Sequence, residues 1–177
     1  MKRGQETTIL IGLFLCAAGW APAEEMETPM IGIPNALVID DGILGGGQPD
    51  EDALRTAAHE GYRTILNMRG PGEEGSLDNE EDLVRSLGMN YVTLPITGGA
   101  AFNEKAAQRL AEILGEADAL PAMVHCASGN RVGILFGVKA FYVDGVDGPT
   151  ALEFGTKSGA RRIPEQVRML LSGQAED

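Results

Sequence analysis

A chain of 177 residues, 44% hydrophobic and 23% charged, has the size of one compact domain and the balance of an ordinary globular fold. Nothing in these figures points to a collagenous, disordered or membrane-embedded class. The formal charge of −12 argues against nucleic acid and against anionic membrane surfaces as partners, so an anionic substrate has to be held by local groups.

Lys2 and Arg3 open a short positive segment, Ile9 to Trp20 is an apolar and small-residue run, and Ala21-Pro22-Ala23 has the small-x-small form of a cleavage site. This is the layout of a secretory signal peptide over residues 1–23, which predicts a periplasmic or secreted protein with no stable membrane span after cleavage. The run is short for a span; a retained N-terminal anchor is the alternative. Cleavage removes Cys16, leaving Cys126 as the one cysteine, and takes the charge to about −13 through loss of Lys2, Arg3 and Glu6. A lone cysteine makes no internal disulfide, so packing has to supply the stability. An unpaired thiol in an oxidising compartment asks for a functional explanation, and a buried apolar cysteine is the alternative.

Residues 24–35 read as a polar, proline-bearing leader, and residues 36–177 as the folded domain. Leu37-Val38-Ile39 and Ile43-Leu44 form short strands around an Asp40-Asp41-Gly42 turn. Asp50 caps a helix to about Glu60, with Gly61 as its stop. Thr64 to Met68 is a β-rich run broken by Arg69-Gly70-Pro71-Gly72. Asn79 to Leu87 is a short acidic helix, Tyr91 to Leu94 a strand closed by Pro95, and Asn103 caps a helix from Glu104 to about Ala117. Ala122-Met123-Val124 is a strand leading into His125-Cys126. Val132 to Val143, Pro149 to Ser158 and Pro164 to Leu171 complete the set as helices.

Repeated strand–helix units imply a single α/β domain with a mainly parallel central sheet flanked by helices. Right-handed crossovers bring the C-terminal ends of the strands to one edge, where ligands bind. Four segments should meet there: Gly47-Gln48, the Arg69 loop, Thr97-Gly98-Gly99 and the loop at Cys126.

That last loop, Cys126-Ala127-Ser128-Gly129-Asn130-Arg131, joins a strand to a helix. Its small residues let the backbone wrap so that the N–H groups of Ala127, Ser128, Gly129 and Asn130 form an anion nest. The following helix adds unpaired donors and the positive end of its dipole. A cysteine at the start of such a loop sits in a field that favours thiolate, and Arg131 offers a planar fork for a tetrahedral oxyanion. His125, pointing opposite to Cys126, reads as a satisfied core histidine rather than a base.

The run HCASGNR resembles the signature loop of the protein tyrosine and dual-specificity phosphatase superfamily. More closely, it is similar to the phosphatase-like domain of β-lactamase-hydrolase-like proteins and their NAD-kinase-fused relatives, as are GGGQPDEDALRTAAHEGYRTILNMRG and YVTLPITGG. The resemblance covers most of Ala36 to Val143. It implies the phosphatase fold, Cys126 as a nucleophile forming a thiophosphate intermediate, and Arg131 as the phosphoryl-binding residue.

Two departures from that pattern define the alternatives. Four residues, not the superfamily's usual five, separate cysteine from arginine, and Val132 follows where a hydroxyl residue is usual, although Ser128 could stand in. A cysteine–four–arginine loop is also similar to rhodanese sulfurtransferases, in which Cys126 would carry a persulfide. The resemblance would place an acidic proton donor after the Tyr91–Leu94 strand, but Pro95 to Phe102 contains no acid. Glu73, Glu74 and Asp78 are the candidates for general acid, with solvated loop charges as the alternative for each. A non-catalytic oxyanion-binding module is the third reading.

Arg69 is either a second anion-binding residue or a partner of the neighbouring acids, and Gln48 could orient a loop or a water. Arg161-Arg162 is a basic spot read by default as solvated surface. Two scattered histidines and one cysteine give no metal-ligand spacing, and no cofactor is expected. The expected partner is a phosphorylated or sulfur-bearing substrate.

Overall fold

The computed structural model describes residues 31–173. The expected signal peptide and most of the leader lie outside the described residues. The elements follow in the order β1 (Leu37–Asp40), β2 (Ile43–Gly46), α1 (Glu51–His59), β3 (Thr64–Asn67), α2 (Glu80–Ser86), β4 (Asn90–Thr93), a 3-10 turn (Gly99–Ala101), α3 (Glu104–Leu114), β5 (Ala122–His125), α4 (Asn130–Tyr142), α5 (Gly148–Lys157) and α6 (Glu165–Leu171). The sheet order is β1-β2-β5-β3-β4, with β1 antiparallel and the other four strands parallel. This is the mainly parallel α/β sheet flanked by helices that the alternation of elements predicts.

Side-chain alternation along the strands divides the core into two layers. Leu44, Ile65 and Met123 face α1 and α2, packing with Leu54, Ala57 and Val84. Ile43, Leu66 and Val124 face the other way, toward α3, α4, α5 and α6. The helix starts follow local chemistry: Asp50, Asn103 and Asp147 each accept a backbone N–H of the first turn, from Ala53, Ala106 and Thr150.

Beyond shifts of one or two residues at other element ends, three boundaries differ from expectation in ways that bear on the fold and the site. The helix begun by Glu104 stops at Leu114, because the Gly115 N–H already closes the last turn on Ala111 and Glu112. Helix α4 starts at Asn130, two residues early, so Asn130 and Arg131 belong to its first turn rather than to a loop before it. The packed domain reaches back to Ile31: Ile31 and Ile33 are buried in the α1/α2 layer, and the Gly47 N–H donates to the Pro34 carbonyl at 2.7 Å. Two isolated isoleucines have no periodicity to announce this.

Helix α4 is buried along most of its length, lying between the sheet and α5. Its approach to α5 depends on Gly133, Gly137 and Gly155. A Cβ on Gly133 would fall 2.2 Å from the Ala160 nitrogen and 2.8 Å from the Gly155 carbonyl oxygen. Both are backbone atoms that no rotamer change can move. The contact holds the α5–α6 loop against the first turn of α4. Gly133→Ala is therefore expected to cost about 1–3 kcal/mol, read as a lower urea midpoint with an unchanged m-value.

Candidate active site

The parallel register sets Gly46, His125, Asn67 and Thr93 in one row across β2, β5, β3 and β4. Just beyond that row the chain leaves the sheet at Gly47-Gln48, Cys126, Met68-Arg69 and Leu94, so these segments lie side by side at one edge. Gly47 pairs with Ser128, and the Gln48 N–H donates to the Ala127 carbonyl at 3.3 Å. The segment after β4 joins through Ile96 and Thr97, while Gly99 runs off to meet Gln166 of α6.

Cys126 is 1% exposed, and its Sγ accepts the Gly129 N–H at 3.2 Å. Gly129 has φ +83, a left-handed conformation that glycine adopts at no cost, and a Cβ there would press on the Gly46 backbone at 3.3 Å. The loop's carbonyls are tied outward: Ala127 to Gln48 as above, and Ser128 to the Asn35 Nδ2 at 3.1 Å. The N–H groups of Ala127, Ser128, Asn130 and Arg131 have no acceptor among the described residues. The Asn130 side chain takes no part in this cradle. Its Oδ1 accepts from the Arg161 and Arg162 N–H groups at 2.7 and 2.8 Å, and its Nδ2 donates to the Arg162 carbonyl. Only its backbone N–H remains for an anion.

The Arg131 guanidinium meets Glu73 end-on, Nη1 donating to Oε2 at 2.8 Å and Nη2 to Oε1 at 2.5 Å. Nη1 also reaches the Ile96 and Met68 carbonyls at 3.2 and 3.4 Å. Nε–H has no oxygen partner among the described residues, so the side edge of the guanidinium stays available. Glu73 is held further by the Gly70 N–H at 3.1 Å and by Arg69 Nε at 3.2 Å. The hydrogen bond from Arg131, helped by Gly70 and the two arginine charges against some desolvation, lowers the Glu73 pKa to about 2. The same bond from Glu73 raises Arg131 above the ordinary arginine value; burial opposes this, and Cys126 adds to it.

These contacts correct three expectations. Glu73 is held as an anion, which removes it from the role of general acid. Glu74 and Asp78 are exposed and make no side-chain hydrogen bond or ion pair to the Cys126 loop among the described residues. Arg69, 5% exposed, is no free anion binder: besides its ion pair with Glu73 it donates to the Gln48 Oε1 at 2.8 Å, to the Gly75 and Glu73 carbonyls, and to the Glu74 carbonyl. Its work is to fold the loop that carries Glu73.

Beneath the site, on the α1/α2 side of the sheet, lies a polar cluster that sequence reasoning missed. Glu80, the first residue of α2, is 2% exposed, and its Oε1 stands 2.6 Å from Nε2 of the fully buried His125, off the direction of a ring N–H donor. Glu80 Oε2 accepts from Gln48 Nε2 at 3.0 Å and more weakly from Asn67 Nδ2 at 3.4 Å, while Asn67 also donates to the Tyr91 hydroxyl at 2.8 Å. Glu80 sits in a run of acids that reads as a solvated helix face, and nothing local marks it as the one turned inward. His125 is buried as expected of a core histidine, but it is not satisfied: neither ring nitrogen has a hydrogen-bond partner among the described residues.

Residues 39–141 match the family described as "Beta-lactamase hydrolase-like protein, phosphatase-like domain". The chain belongs to this family. A beta-lactamase hydrolase-like protein of Xylella fastidiosa is 31% identical to it over 101 residues, which are 55% of this chain and 23% of the relative. The chain thus spans about a quarter of the length of the curated relatives it matches. In fold it is similar to the catalytic domain of the PP-IP phosphatase SIW14 from S. cerevisiae, with TM-score 0.61 and 16% identity over 82% of this chain and 88% of that one. It is also similar to PTPMT1, with TM-score 0.63 and 18% identity over 78% and 92%.

For this phosphatase-like domain two outcomes follow. Glu80→Ala removes the carboxylate that accepts from Gln48 and Asn67 and stands against His125 in a buried layer, and a hydrogen bond lost there costs about 1–3 kcal/mol. A large drop in the denaturation midpoint is expected, with Glu80→Gln closer to wild type. The Glu73 carboxylate has a folded-state pKa below its ordinary 4.5, so its contribution to stability is complete above that value and is lost as pH falls toward about 2. Acid titration should therefore show Glu73→Gln losing less stability than wild type across that window.

Proposed function

We propose that this chain is a cysteine-dependent phosphatase in which Cys126 attacks a phosphoryl group cradled by the loop from Ala127 to Asn130 and by Arg131. The observation that carries the reading is the division of Arg131: its end is clamped by Glu73 beside Cys126, while its Nε–H edge and the N–H groups of Ala127, Ser128, Asn130 and Arg131 have no oxygen acceptor among the described residues. A phosphoryl group has three non-bridging oxygens for such donors. The family and the fold of the solved phosphatases support the same reading.

In the first step the Cys126 thiolate forms a bond to phosphorus, and the bond from phosphorus to the leaving oxygen breaks, that oxygen keeping the electron pair. In the second, water attacks the thiophosphate, the sulfur–phosphorus bond breaks, and Cys126 regains its electron pair as phosphate departs. The Gly129 N–H donates to the sulfur throughout. Glu73 acts as a positioning residue that holds the Arg131 plane, with Arg69 and Gly70 holding Glu73. With Glu73 kept anionic, the leaving oxygen takes its proton from solvent. Good leaving groups, such as phenols, are accordingly favoured over alkyl alcohols.

The test is turnover of substituted phenyl phosphates. Phosphate release is expected to fall by about 10³-fold or more in Cys126→Ser and about 10²-fold or more in Arg131→Ala. Rates should decline as the leaving phenol becomes less acidic. A flat dependence on leaving-group acidity would reveal a proton donor and overturn the solvent-protonation step. Thiocyanate formation from thiosulfate and cyanide, with no phosphate release, would assign the loop to sulfur transfer instead.

A further inference from the structure

Arg161 and Arg162 lie in the loop between α5 and α6, far in sequence from Cys126, yet they are bound directly to its loop. Asn130, next to Arg131, accepts both of their backbone N–H groups and donates to the Arg162 carbonyl. A second clasp is made by Asn35, whose backbone takes φ +54, a left-handed conformation that asparagine tolerates better than most residues. Its Oδ1 accepts the Arg161 Nη2 at 2.9 Å, and its Nδ2 donates to the Ser128 carbonyl at 3.1 Å. The Arg161 guanidinium is thus two hydrogen bonds from the backbone of the anion cradle.

The charge of this pair is unanswered. Arg55, Arg63, Arg69, Arg85, Arg109 and Arg131 each pair with a carboxylate, whereas Arg168 donates to the Ile163 carbonyl. Arg161 and Arg162 are exposed, and neither makes an ion pair among the described residues. Arg161 touches only the neutral Asn35 amide, and the Arg162 guanidinium has no hydrogen-bond acceptor there. A chain of net charge −12 has carboxylates to spare, so two adjacent cations without one, tied by their backbone to Asn130 of the cradle loop, stand out. Fixed backbones and an unneutralised charge are what a second anionic group on a bound substrate would need.

We propose that Arg161 and Arg162 form a second anion subsite and that the preferred substrates carry a second phosphate near the one attacked. The inference rests on the phosphatase reading and narrows its substrate class. The second phosphate can be joined as an anhydride or sit on a neighbouring carbon, and both present an anionic phosphate to the arginine pair.

Hydrolysis of 4-nitrophenyl phosphate by wild type and by R161A/R162A would be inhibited separately with orthophosphate, pyrophosphate and 2,3-bisphosphoglycerate. At least one of the two diphosphates should inhibit wild type about tenfold more strongly than orthophosphate, and whichever does so identifies the linkage. That advantage should drop below about twofold in R161A/R162A, return in R161K/R162K, and shrink with added salt. Turnover of 4-nitrophenyl phosphate by R162A should change by less than about twofold. An advantage missing from wild type, or persisting in R161A/R162A, overturns the subsite. The Arg162 side chain makes no hydrogen bond or ion pair among the described residues, so the same loss in R162A rules out a folding effect. Calorimetric titration of the same ions needs no turnover: pyrophosphate binding through the pair without ester hydrolysis would sink the phosphatase reading alone, whereas hydrolysis with equal binding of orthophosphate and pyrophosphate would sink the subsite alone.

Discussion

The carboxylate of Glu73 lies between two guanidinium groups, taking both terminal nitrogens of Arg131 and facing Nε of Arg69. A bidentate pair of this kind fixes a plane as well as a distance. With its plane fixed, Arg131 has one edge turned to the protein and another left for a ligand. Arg69 repeats the logic one layer deeper, gathering the carbonyls of Glu73, Glu74 and Gly75 so that the loop after β3 returns its acid to the site. A strongly acidic chain has concentrated positive charge beside Cys126, and has used one of its own carboxylates to hold it in place.

The cysteine is placed by a different force. β5 runs between β2 and β3, buried on both faces, so the chain emerging at Cys126 is flanked by the ends of two other strands. Alternation then sends His125 toward the α1/α2 layer and Cys126 toward α4. The polar cluster around Glu80 occupies the layer beneath, bridging β5, β3 and the Gln48 segment. In a layer otherwise apolar, such a cluster ties three strand ends to one carboxylate, and a loss anywhere in it leaves buried polar groups unpaired.

Glycine contacts carry the third constraint. Gly133, Gly137 and Gly155 bring α5 close to α4, which presses the α5–α6 loop onto Asn130. The site is thereby assembled from both ends of the domain: Asn35 before β1, and Arg161 and Arg162 before α6, meet at Ser128 and Asn130.

How much of this is legible without coordinates depends on the range of the interaction. Short strands, caps at Asp50 and Asn103, and the strand-to-helix turn from Cys126 to Arg131 follow from neighbours in the chain, because caps, turns and alternation act over a few residues. The sequence by itself therefore determined the sheet-and-helix architecture and the place of the Cys126 loop within it. It was silent on partners far apart along the chain. That Glu73 rather than Glu74 or Asp78 meets Arg131, that Arg69 serves Glu73, that Glu80 turns inward, and that Arg161 reaches Asn35 are choices among near-identical charges. Charged side chains carry no periodicity that says which carboxylate will be desolvated against which cation; only the packing of distant segments decides it.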